Sequence, residues 1–137
     1  MEFNTQICTN KEQSKRLIEL GLNPNTSDMH HYRWSEGYWD IQNCPPRGSN
    51  SNFIPAWSLH RLIAMLPDEI EWLSVRLSRT CYFHPVFYKD KIAYTDMEGW
   101  RHIFNDNDNI YDNIIDCIEW LIKENKFNKK YLKEDKS

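Results

Sequence analysis

His30 and His31 stand side by side, with Asp28 and Asp40 near them in sequence. An imidazole beside a carboxylate can move protons near neutral pH, because its pKa lies there. Catalysis of that kind also needs a nucleophile and a group to stabilise the developing charge. Ser27 and Ser35 lack an elbow motif around them. Four scattered glycines build no phosphate-cradling loop. The residue types and their spacing therefore name no catalytic group.

Metal chemistry is weakly signalled. Cys81 and His84 form a C-x2-H pair, but Cys8, Cys44 and Cys117 have no close partner in sequence. Structural zinc needs a second pair at similar spacing. Cys117 reads as a small core residue, and His84, before Pro85, as a strand-end residue. The run Asn105-Asp106-Asn107-Asp108-Asn109 offers the oxygens that calcium prefers. An EF-hand loop also needs Gly sixth and Glu twelfth. Counting from Asp106, those places hold Tyr111 and Cys117; counting from Asn105, Ile110 and Asp116. Asx residues ahead of a helix are turn formers and caps. No metal and no cofactor are expected, and the four thiols are expected to be free.

The densest chemistry is aromatic. His30, Tyr32, Trp34, Tyr38 and Trp39 fall within ten residues. Alternation along a strand would turn half of them inward and half outward, so Trp34 and Trp39 should differ in burial. Cross-strand ring pairing accounts for such residues. The outward half would equally suit a protein partner or stacking on bases. These five residues are the candidate interaction surface.

The elements that must position them follow from local pattern. Thr9 and Glu12 fit a capping box for a helix over 10–20, stopped by Gly21. Residues 29–34 and 38–42 read as a β-hairpin around Ser35-Glu36-Gly37. Pro45, Pro46 and Gly48 make 43–52 a flexible loop. Pro55 suits the first turn of a helix over 56–66. Residues 69–78, 80–88, 91–95 and 100–104 read as an antiparallel meander. Ile110, Ile114, Cys117, Ile118 and Leu121 lie on one stripe of a C-terminal helix, expected to pack on Leu73, Val75 and Leu77. Residues 133–137 should fray. Strands and helices are partly segregated, which predicts a single α+β domain over 1–137: an antiparallel sheet, hairpin plus meander, with about three helices.

Composition sets the outer limits. With 137 residues, 40% hydrophobic and 14% aromatic, the chain can fill one core. A net charge of −3 argues against broad nucleic-acid binding. No apolar run approaches a membrane span, and residues 1–10 lack a secretory pattern, which implies a cytoplasmic protein.

The segments Thr9-Asn10-Lys11-Glu12-Gln13-Ser14, Leu17-Ile18-Glu19-Leu20-Gly21-Leu22, Ile54-Pro55-Ala56-Trp57-Ser58-Leu59 with Leu66-Pro67, Ile110-Tyr111-Asp112, and Cys117-Ile118-Glu119-Trp120-Leu121 together resemble a group of small uncharacterised proteins encoded in prophages and conjugative elements of gut bacteria. The resemblance covers the helices better than the strands. It implies a mobile-element setting and an accessory role, and it carries no site residue. The expected function is a non-enzymatic accessory protein that binds another protein. A nucleic-acid-associated factor using the hairpin rings, Arg33, Arg47 and the terminal lysines is the alternative, and an enzyme whose site comes from distant residues is a third.

Overall fold

Asn10 caps the first helix, α1 (Lys11–Glu19): its side chain accepts from the Gln13 backbone, and the Gln13 side chain accepts from the Asn10 backbone. The capping box expected on Thr9 and Glu12 is thus shifted by one residue. Thr9 is fully buried and has another task, described below. At its other end Leu22 N–H donates to Leu17 and Gly21 N–H to Ile18, the paired bonds of a Schellman stop. The structure, a computed structural model, describes residues 6–44, 52–74 and 78–133.

The described residues up to Ala64, with those from Lys129 onward, form one compact unit; Met65–Asn128 form a second. The first holds α1, a 3-10 turn at Pro24–Thr26 and the strands β1 (Met29–Arg33), β2 (Trp39–Gln42) and β3 (Phe53–Ala56). The sheet is antiparallel, in the order β2-β1-β3. Helix α2 (Leu59–Met65) follows. Pro55, expected in its first turn, instead pairs opposite His30 in edge strand β3. An edge position tolerates proline because the missing N–H costs no ladder bond on the open side. Ser58 precedes the helix in its place: its hydroxyl accepts from Arg61 N–H.

Thr9 ties this unit together. Its N–H donates to Trp57 O, its hydroxyl accepts from Trp57 N–H and shares a bond with Ser14 Oγ, and its carbonyl faces His31 Nε2 at 2.8 Å. A carbonyl only accepts, so that ring nitrogen carries the hydrogen. Cys8, Met29 and Ala56 form an apolar cluster beside this hub. The segment after Lys129 returns to the same unit: Asn23 N–H donates to Tyr131 O, Lys133 N–H to Gly21 O, and Leu22 bridges Leu132.

The second unit is a four-stranded antiparallel meander, β4 (Ile70–Ser74), β5 (Arg79–Phe87), β6 (Ile92–Thr95) and β7 (Arg101–Phe104), in that order, with α3 (Ile110–Lys123) against β6 and β7. Ile114, Cys117, Ile118 and Leu121 are fully buried, and Tyr111, Asn113 and Ile115 widen the face. The inward side of β4 is Ile70 and Trp72, with Leu73 67% exposed, the reverse of the expected parity. The helix is covered by Ile92, Tyr94 and Phe104 of β6 and β7 rather than by the Leu73 side of β4. Asn125, at φ 57°, ends α3 with the same paired bonds as α1, Lys126 to Leu121 and Asn125 to Ile122.

The chain is therefore α+β, with antiparallel sheets and, among the described residues, three α-helices. Val75 and Leu77, most of the loop expected over 43–52, and 134–137 lie outside the described residues. No helix among the described residues is long and apolar enough to cross a membrane.

Candidate functional site

The aromatic hairpin closes through a three-residue loop. Gly37 N–H donates to Trp34 O, Trp34 N–H donates to Tyr38 O, and Gly37 sits at φ 96°. A type I turn followed by a left-handed residue needs glycine at that last place. The pairing sets Tyr32 opposite Asp40 and Phe53. His30, Tyr32, Trp34 and Tyr38 consequently share one face of the sheet, and Trp39 takes the other.

On that face the rings run as a chain of contacts. His30 meets Phe53 at 5.5 Å, Phe53 meets Tyr32 at 5.1 Å, Tyr32 meets Trp34 edge-on at 5.0 Å, and Trp34 stacks on Tyr38 at 6.3 Å. Burial falls along it. His30 is buried with Nδ1 against Cys44 O, Tyr32 is half-buried, Trp34 is 40% exposed and Tyr38 57%. Trp39 is half-buried on the opposite face, with the Lys11 ammonium 4.5 Å from its ring centre. The five residues are brought to one hairpin but not to one surface.

The histidine–carboxylate pairs do not form. His30 and His31 bond backbone carbonyls. Asp28 accepts from Ser58 N–H and its hydroxyl, and Asp40 from Ile41 N–H and Gln42. Cys81 is buried while His84 is exposed, because residues three apart on a strand face opposite ways. His84 donates instead to Asp68 O. The Asx run caps α3: Asn109 accepts from Tyr111 and Asp112 N–H, and Asn107 donates to Asp116. Among the described residues no three His, Cys, Asp or Glu side chains converge on a possible metal position, and the four cysteines are free.

A second constellation, in the other unit, escaped the sequence reading. Trp120 of α3 stacks on Trp72 of β4 at 5.7 Å and on His102 of β7 at 4.6 Å, all nearly parallel. Lys126 lies over Trp72, and Phe104 packs against His102. Beside this stack opens a cavity of about 340 Å³ lined by Trp72, Phe83, Trp100, His102 and Trp120, with Arg101 and Glu124 at its wall. Trp100 is 57% exposed. The rings come from four separate segments, so no local motif announces them. One signal was available: Trp120 falls three residues after Cys117, at the margin of the apolar stripe.

Asn113 was also missed. It is fully buried in α3. Its Nδ2 donates to Asp90 O and Asn107 O, and its Oδ1 accepts from Asn107 N–H and Nδ2. The amide thereby pins the 105–109 turn and the Asp90 turn to the helix. It stands three residues after Ile110 and four before Cys117, a polar residue on an apolar stripe, and that was its signal.

Comparison with protein-family models, with curated proteins and with solved structures finds no match to this chain.

Proposed function

We propose that this chain is a non-enzymatic accessory protein that binds another protein through the ring-bearing face of its three-stranded sheet. The observation that carries the reading is the exposure of Trp34 and Tyr38, stacked on one another and held edge-on by Tyr32. Large amphipathic rings kept rigid before contact lose little entropy on binding, which is why they dominate interfaces. The catalytic pair that the sequence offered is engaged in backbone bonds instead. A prophage or conjugative-element setting, implied by the resemblance alone, belongs to the same proposal.

The test is capture of the tagged chain from its native cells, with and without nuclease, beside a Trp34→Ala/Tyr38→Ala double variant. The expected result is a protein retained stoichiometrically in both nuclease arms and lost from the double variant, whose thermal midpoint matches the parent. Equal retention by the variant removes the sheet face from the proposal. Retention that vanishes with nuclease replaces the protein partner by a nucleic acid.

A further inference from the structure

The cavity beside Trp120 is built differently from a packed core. Its rim carries a large ring, Trp100, that is more exposed than buried and has no ring partner among the described residues. Arg101 and Glu124, a cationic and an anionic residue, also line the cavity. Its size lies near the lower end of the roughly 300–1,000 Å³ of small-ligand sites, which suits one ring-sized ligand.

The contacts around it discriminate between ligand classes. A quaternary ammonium needs ring faces turned toward it from several directions. Here Trp72, Trp120 and His102 are nearly parallel, the Lys126 ammonium already lies over Trp72, and Arg101 adds a second positive charge. A nucleobase gains most by inserting into or extending a stack. Lys126 already lies over Trp72 at one end of this stack, and Phe104 packs along its flank against both His102 and Trp120. Glu124 opposes a simple anion. Of the two lining rings without a ring partner among the described residues, Phe83 and Trp100, Trp100 is the exposed one, and Arg101, a carrier of donors, and Glu124, a carrier of acceptors, line the cavity with it. One apolar ring face with donors and acceptors beside it matches a neutral sugar. The axial C–H groups of a pyranose pack on the negative face of an indole, and its hydroxyls both give and take hydrogen bonds.

We infer that this cavity is a binding site for a neutral pyranose, with Trp100 as the stacking platform and Arg101 and Glu124 as partners for the hydroxyls. The inference is independent of the sheet face in the other unit.

The experiment is ligand-observed NMR and calorimetry on the full chain with the methyl glycosides of glucose, galactose, mannose and N-acetylglucosamine. Tetramethylammonium and adenosine serve as probes of the two rejected classes. At least one glycoside should bind saturably and more tightly than either probe. Trp100→Ala should weaken it by about tenfold, the scale of one lost ring contact with its buried area. Glu124→Gln, which keeps the shape but removes the charged acceptor, should weaken it by about threefold or more. Both side chains are exposed, so thermal midpoints should match the parent. The inference fails if no glycoside saturates, if Trp100→Ala binds as the parent does, or if tetramethylammonium or adenosine binds more tightly than every glycoside.

Discussion

Asn113 has every hydrogen-bonding valence of its amide engaged inside the protein, and its own side chain is fully buried. Truncation to Ala would strand the Asp90 and Asn107 carbonyls and the Asn107 N–H together. A buried polar group left unpaired costs about 1–3 kcal/mol. Asn113→Ala should therefore destabilise by about 3 kcal/mol, whereas Asp112→Ala, one residue earlier and only half-buried, should cost about 1 kcal/mol or less. Urea titrations of the two variants check this, and equal midpoints would mean that the amide does not anchor the turn. The thiols give a second test. Cys8, Cys81 and Cys117 are buried, and Cys44 is half-buried. A disulfide reagent should modify Cys44 first in the native protein and the other three only on unfolding. Mass mapping of the modified peptides after brief labelling reads the order directly; early labelling of Cys117 would contradict its place in the α3 core.

Elements were legible in proportion to the length of their pattern. Helix α3 repeats its apolar positions over 14 residues, long enough to fix the buried stripe. Strand β4 is short, and apolar residues occupy both parities, Ile70 and Trp72 on one and Leu73 on the other. Alternation alone cannot then choose a face; the choice was made by the Trp72–Trp120 stack. Strand β3 is four residues long and contains Pro55, the residue type that also opens helices, so its sequence supports two local outcomes. The pairing with β1 decided between them. These assignments separate in a mutant series. Leu121→Ala removes a fully buried side chain and should cost about 2–5 kcal/mol. Leu73→Ser changes an exposed one and should stay within about 0.5 kcal/mol. If chemical denaturation gave the two variants the same loss, Leu73 would be packed and the observed parity of β4 would be wrong.

At the scale of the molecule, local pattern sufficed for the α+β class, since it needs only the number and order of elements. It did not reveal the cavity, whose rings are carried by β4, β5, the start of β7 and α3. Nor did it reveal that the segment after Lys129 belongs with the N-terminal unit, which depends on pairing Leu132 with Leu22. Both are facts of long-range register, where side-chain periodicity carries no information.

One property arises from burial in both units at once. Cys8, Tyr94 and Cys117 are weak acids withdrawn from water. Burial, aided by the charge of Asp28, pushes the Cys8 thiol from 9.0 up to about 11. Burial raises Tyr94 further, with Cys117 and Asp68 adding to it, and raises Cys117, with Asp116 adding. Above the ordinary thiol value the unfolded chain has lost protons that the folded chain keeps. The unfolded state then binds fewer protons, so stability falls as pH rises. Stability should be insensitive to these groups up to about pH 9 and decline beyond it, the Cys8 share of the decline being complete near its folded value of about 11. Denaturant midpoints at about pH 8, 9 and 10.5 measure the slope. Cys8→Ala removes one of the three titrating groups, so its midpoint should fall less than that of the parent across the same interval, even if it starts lower through the lost packing against Met29 and Ala56. A parent midpoint that holds constant from about pH 8 to 10.5 would show that these side chains ionise as readily in the folded chain as in the unfolded one, which burial on this scale does not allow.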